Sequence, residues 1–281
     1  MKHLVQFSTG VASAEVAWRL VAEHGPDDVV LLTADTLVED EDNWRFGREV
    51  ADRLGCEWII TADGRTPMQV GRDRKCVPNN RMAVCSQILK RELLARYLTE
   101  HYDPASAVVY VGYDWTELHR VEAARAHWAP WTADFPLTRP PYLWKEQILD
   151  LFRERGIDPP RLYGYGFAHA NCGGACVRGG QAQWSLLLQV NRTRYLEWEA
   201  EEEVSRDELG KDVSILRDRT EGRLIVSGGE VSRELDSRPL PLKAFRERIE
   251  RQPSMFDADD WGACGCLMDG SPPEPPEVSA A

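Results

Sequence analysis

Short apolar runs alternate with amphipathic stretches along the first half of this chain. His3 to Phe7 and Val29 to Thr33 are short and β-prone, and Glu57 to Thr61 and Val108 to Gly112 read as a third and fourth strand. Between them, apolar residues recur at helical spacing: Val16, Ala17, Leu20 and Val21, then Trp44, Phe46, Val50 and Leu54. Ile88, Leu89, Leu93, Leu94 and Tyr97 mark a further helix from about Ser86 to His101. The acidic stretch Glu39 to Asp42 caps the second helix, which runs through about Gly55. Thr66-Pro67 opens a short helix, proline being suited to a first helical turn, and another helix spans about Thr116 to Ala126. Strands alternating with helices predict an α/β fold with a mainly parallel sheet covered on both faces.

The pattern then changes. Trp128 to Pro141 is rich in Pro and Trp and reads as irregular, and Leu143 to Arg155 reads as a helix ended by Pro159-Pro160. A long helical stretch covers about Gly180 to Asp207, with Glu199 to Glu203 expected on a solvated face. From Arg223 the pattern is short and strand-like, with one more helix near Leu242 to Arg251. Residues Gly270 to Ala281 are rich in Pro, Ser and Glu and read as a disordered tail. The implied organisation is an α/β core over 1–127, a cysteine-containing helical extension over 128–207, a small region over 208–269, and the tail 270–281.

At 281 residues, with 43% hydrophobic and 28% charged residues, the composition is that of a soluble globular enzyme. The start Met-Lys-His-Leu-Val has no signal-peptide pattern, and no apolar run is long enough to span a bilayer. Seven cysteines, an odd number, point to a reducing compartment, and so to thiols or metal ligands in a cytoplasmic protein. The net charge of −12 repels nucleic acid at long range.

Candidate chemistry begins at Phe7-Ser8-Thr9-Gly10-Val11-Ala12-Ser13. A small-residue turn from strand to helix aims backbone N–H groups and a helix N-terminus at one point, which favours a phosphate. Ser8, Thr9 and Ser13 add hydroxyls, and Gly10 permits close approach. Ala34-Asp35-Thr36 and Gly112-Tyr113-Asp114 fall at other strand ends, where ligands sit in parallel sheets. Asp114 is a candidate catalytic carboxylate, and Lys90 and Arg120 are candidate anion-binding cations. Cys85, Cys172, Cys176 and the downstream pair Cys264 and Cys266 are candidate soft ligands or nucleophiles, whereas Cys56 reads as a buried structural thiol.

Taken together, Phe-Ser-Thr-Gly-Val-Ala-Ser at 7–13, Ala-Asp-Thr at 34–36, Cys-Ser-Gln-Ile-Leu-Lys at 85–90, Val-Gly-Tyr-Asp-Trp-Thr-Glu-Leu-His-Arg at 111–120 and Asn-Cys-Gly-Gly-Ala-Cys at 171–176 resemble the phosphoadenosine phosphosulfate (PAPS) reductase family. That family belongs to the PP-loop, adenine-nucleotide α-hydrolase-like superfamily, and the likeness covers roughly Lys2 to Val190. It implies a Rossmann-like (HUP-type) sheet followed by a mostly helical C-terminal part. It also implies nucleotide phosphates on Ser8, Thr9, Gly10, Val11 and Ser13, adenosine near Ala34, Asp35 and Thr36, and Gly112 beside them. The loop departs from the Ser-Gly-Gly-x-Asp-Ser of the ATP-pyrophosphatase branch, with Thr9 at the first Gly position and Ala12 at the Asp position.

Three functions stay open at this point. The first is ATP-dependent activation of an acceptor with Mg²⁺, followed by sulfur transfer at an iron–sulfur cluster held by Cys85, Cys172, Cys176 and Cys266, with zinc as the alternative metal. The second is reduction of a sulfonucleotide, with Cys264 or Cys266 as thiolate nucleophile and a thiol reductant as partner. The third is a non-catalytic nucleotide-binding protein with structural zinc. The expected partners are an adenine nucleotide, a sulfur donor or thiol reductant, and an unidentified acceptor; no membrane is expected, and a second copy of the chain is compatible with all three.

Overall fold

The computed structural model describes residues 1–220, 224–227, 230–233 and 236–251, with side chains given outside 219–236. In chain order it opens with β1 (Lys2–Gln6), α1 (Val11–His24), β2 (Val29–Asp35), α2 (Glu41–Leu54) and β3 (Glu57–Ala62). The short helix α3 (Pro67–Asp73) follows, then a π-helical stretch, Ser86–Glu92, that leads into α4 (Leu93–His101). Next come β4 (Ala107–Tyr110), the 3₁₀ turn Trp115–Arg120, α5 (Val121–Trp128), β5 (Thr132–Asp134), α6 (Lys145–Glu154) and α7 (Arg161–Gly164). The remainder is α8 (Gln181–Val190), α9 (Arg192–Leu209), β6 (Leu216–Thr220), β7 (Leu224–Ser227), β8 (Glu230–Arg233), β9 (Asp236–Leu240) and α10 (Leu242–Arg251). Two compact units result: one from Met1–Arg65 and Ile88–Gly173, the other from Thr66–Gln87 and the described residues from Gly174 onward.

The first unit is a Rossmann-like α/β fold. Its sheet has the order β3-β2-β1-β4-β5, and all the pairings are parallel. Val29 to Leu32 are buried in succession, as expected of a parallel strand covered on both faces. Alternation along β1 divides the core: Val5 packs with Val16, Leu20, Phe46, Val50 and Phe152 on one face. Leu4 packs with Leu94, Leu98, Val109, Val121 and Trp128 on the other. Local signals set the helix ends. The Asp40 carboxylate accepts from the Asp42 N–H at 2.9 Å as N-cap of α2, and Gly55 closes the helix in the left-handed region at φ 67°.

Three features of the first unit and its approach depart from the sequence expectation. The stretch 128–141, read as irregular, contains β5, whose Thr132 to Asp134 pair with Val108 to Tyr110. A three-residue strand of Thr, Ala and Asp carries no apolar signal and forms because β4 offers a free edge. The predicted helix at 86 begins as a π-helix, and the one at 116 begins as a 3₁₀ turn.

The second unit contains α3, α8, α9 and α10, with β6 paired antiparallel to β9 and β7 to β8. Thr66 and Gln69 form a reciprocal capping box at the start of α3. The acidic run Glu199 to Glu203 is not wholly a solvated face. Glu199 and Glu202 are buried, Glu202 completely. Glu199 takes both oxygens to the Arg246 guanidinium at 2.8 Å, and Glu202 accepts the N–H groups of Ile215 and Leu242 at 2.6 Å each. A glutamate is tolerated in the interior because these donors replace its water shell.

Candidate functional site

The site lies in the first unit, where the strand order reverses between β1, the central strand of the 3-2-1-4-5 order, and its neighbour β4. Loops leaving adjacent strands in opposite directions open a crevice at their carboxyl ends. The β1 loop runs Ser8-Thr9-Gly10 into α1, with Gly10 as N-cap, and Gly10 supplies no side-chain cap. Hydroxyls knit the turn together. Ser13 Oγ donates to the Gly10 carbonyl at 2.9 Å, accepts the Ser8 N–H at 3.1 Å and lies 3.2 Å from Ser8 Oγ. Thr9 stands at φ 57° and is buried, its hydroxyl turned back to the Ser8 carbonyl at 2.6 Å. Ser8 is exposed at the rim.

Two further contacts shape this loop. A Cβ on Gly112 would come within 2.9 Å of the Ser13 nitrogen and 3.0 Å of its Cα, so the end of β4 meets the loop backbone to backbone. A Cβ on Gly10 would meet Tyr163 Oη at 3.1 Å and Ser8 Oγ at 3.4 Å. Burial pushes the Tyr163 pKa up to about 12, against the opposing effect of the nearby Val11 and Ala170 N–H groups, so the phenol stays neutral. Tyr163 was not legible as a site residue in the sequence.

A shallow cleft opens beside the loop, lined by Ser8, Thr9, Ala34, Glu39 and Lys90. Asp35, at the end of β2, accepts the Leu37 N–H at 2.7 Å and thereby turns the chain. Thr36 donates to Glu39 Oε1 at 3.1 Å. Lys90, on the π-helical stretch, places Nζ 3.5 Å from the same oxygen. The other carboxylate oxygen of Glu39 accepts the Cys172 N–H at 2.6 Å and lies 3.4 Å from Asn43 Nδ2, which in turn donates to the Ala170 carbonyl at 2.6 Å. Glu39 is thus the hub of the cleft, its side chain only 7% exposed. In the sequence it stood in an acidic run that reads as a helix start, and nothing local distinguished it from its neighbours.

The remaining predicted residues fall in different places. Asp114 caps the 3₁₀ turn, its Oδ1 accepting from the Thr116 N–H at 2.8 Å and hydroxyl at 2.6 Å. Arg120 pairs with Glu117, donates to Tyr113 Oη at 3.1 Å and stacks 4.1 Å above the Tyr113 ring. Cys172 is buried, with its backbone in the left-handed region at φ 53°. Cys172 belongs to the first unit, and Cys85 and Cys176 to the second. Among the described residues no three His, Cys, Asp or Glu side chains are grouped to hold a metal ion. Cys264, Cys266 and the stretch 270–281 lie outside the described residues. Cys56 is half-buried, and desolvation pushes its thiol up to about 11.

No described helix is long and apolar enough to cross a membrane. No protein-family model matches the chain, and no curated protein sequence matches it. Among solved structures, it is similar to a phosphoadenylyl-sulfate (PAPS) reductase from Candida auris in a phosphate complex, at 15% identity and a TM-score of 0.42, over 59% of this chain and 79% of that one. It is also similar to an NH3-dependent NAD synthetase from Campylobacter jejuni subsp. jejuni NCTC 11168 in complex with nitrate, at 16% identity and a TM-score of 0.40, over 74% of this chain and 84% of that one.

Proposed function

We propose that the chain is an adenine-nucleotide-dependent enzyme of sulfur chemistry. The nucleotide phosphates lie over Ser8 to Ser13 at the start of α1, and adenosine runs past Ala34, Asp35 and Thr36. The observation that carries this reading is that Ser8, Thr9, Glu39 and Lys90 line one cleft beside β1, next to the reversal of strand order. First-turn N–H groups and the exposed Ser8 hydroxyl suit phosphate oxygens, and Lys90 supplies a cation at the same mouth. The reaction class that fits best is activation of an acceptor by ATP and then sulfur transfer involving Cys172, which Glu39 fastens beside the cleft.

An iron–sulfur or zinc centre on Cys85, Cys172 and Cys176 does not find three grouped ligands among the described residues, so no step is assigned to it. Calorimetric titration with ATP, PAPS, AMP and adenosine tests the reading. ATP should bind, and more tightly than adenosine, because the phosphates carry the loop contacts. Preference for PAPS over ATP would transfer support to sulfonucleotide reduction. Failure of every phosphorylated ligand to bind would end the proposal.

A further inference from the structure

Glu39 divides its carboxylate between two neighbourhoods. Oε1 faces the cleft, where it meets the Thr36 hydroxyl at 3.1 Å and the Lys90 ammonium at 3.5 Å. Oε2 faces the 170–172 backbone, where it accepts the Cys172 N–H at 2.6 Å. That second contact is short and charge-assisted, whereas the contact to Lys90 is at the long limit of hydrogen bonding and is chiefly Coulombic. The turn that Glu39 holds is not at ease on its own. Cys172 and Gly173 stand at φ 53° and 58°, and a left-handed conformation is disfavoured for a residue with a Cβ. Its anchors come from the start of α2: Glu39 on the Cys172 N–H and Asn43 on the Ala170 carbonyl.

Given that the cleft is the nucleotide site proposed above, we propose that Glu39 is a positioning residue that transmits occupancy of the cleft to the backbone carrying Cys172. An anionic ligand beside Ser8 and Thr9 gives Lys90 a second negative partner. As the ammonium shares its charge with that ligand, the Glu39 carboxylate acts more strongly on its remaining donors, Thr36, Asn43 and the Cys172 N–H. The left-handed turn at Cys172 is thereby held differently when nucleotide is present than when it is absent. The thiol of Cys172 then meets its reaction partner from a geometry that depends on the nucleotide.

The test is amide hydrogen exchange at Cys172, resolved by fragmentation mass spectrometry, on the full chain with and without saturating ATP, with ATP binding measured by calorimetry on the same samples. In the wild-type protein, ATP should change the Cys172 exchange rate threefold or more. In Glu39→Gln, where an amide keeps an acceptor but no charge for Lys90, the change should vanish at the ATP concentration that calorimetry shows to saturate that variant. Lys90→Gln, which leaves the Cys172 contact in place, should also abolish the change at saturation and serves if the Glu39 variant does not fold. A change that persists in either variant, or wild-type protein that binds ATP with no change at Cys172, overturns the coupling alone. Wild-type protein that binds no ATP overturns the nucleotide site, and the coupling with it.

Discussion

Gly112 and Ser13 meet without a side chain between them: a Cβ added to Gly112 would stand 2.9 Å from the Ser13 nitrogen. The obstructing atoms are backbone, of Ser13 and Ala12, and cannot swing away as a flexible side chain would. Gly112→Ala should therefore displace the start of α1. Overpacking of this kind costs about 1–3 kcal/mol. The expected outcome is a lower denaturant midpoint together with loss of ATP binding, and a variant that matches wild type in both would refute the assignment.

Tyr163 tests the same loop from the other side. Its hydroxyl stands against Gly10, with the Val11 and Ala170 N–H groups near enough to favour its charged form, so Tyr163→Phe removes the polar atom that faces them. Such a loss costs about 1–3 kcal/mol. Unfolding by urea should show this drop, and ATP affinity should fall because Val11 opens α1. Unchanged stability would mean that water replaces the phenol and that Tyr163 does not order the loop.

Glu202 should make the stability of the second unit depend on pH. Burial raises its pKa from 4.5 to about 7, against the lowering effect of the Ile215 and Leu242 N–H groups and Arg206, while Glu199, itself paired with Arg246, raises it further. Because the folded-state value exceeds the unfolded one, the folded chain holds an extra proton between these values. The stabilisation is complete below pH 4.5 and is lost as pH rises through about 7. The whole effect is at most about 3 kcal/mol. Comparing wild type with Glu202→Gln at pH 5 and pH 8 isolates it: the wild-type protein should lose stability relative to the variant at the higher pH. A difference independent of pH would show that Glu202 is ionised throughout.

Cys56 should resist alkylation. With its thiol pushed up to about 11, only about one molecule in a thousand is thiolate at pH 8. Iodoacetamide under native conditions followed by peptide mapping should leave Cys56 unmodified until denaturant is added. Rapid native labelling would show that its surroundings open to solvent.

The order of strands and helices was determined by the sequence, because apolar period and capping are local. Val29 to Thr33 announces β2 by composition, and Asp40 and Gly55 mark the two ends of α2 with side-chain and left-handed caps that need no distant partner. The Ser8–Ser13 turn was legible for the same reason. What the tertiary structure decided is which polar residues matter. Thr132 to Asp134 becomes a strand only because β4 stands next to it. Glu199 and Glu202 look like members of a solvated run until Arg246, Ile215 and Leu242 arrive as donors. Glu39 and Cys172 are 133 residues apart in the chain, and Tyr163 reaches Gly10 across a comparable gap. Period and caps act within a few residues, whereas the worth of a buried polar group is set by the partner that replaces its water, and only the folded chain supplies that partner.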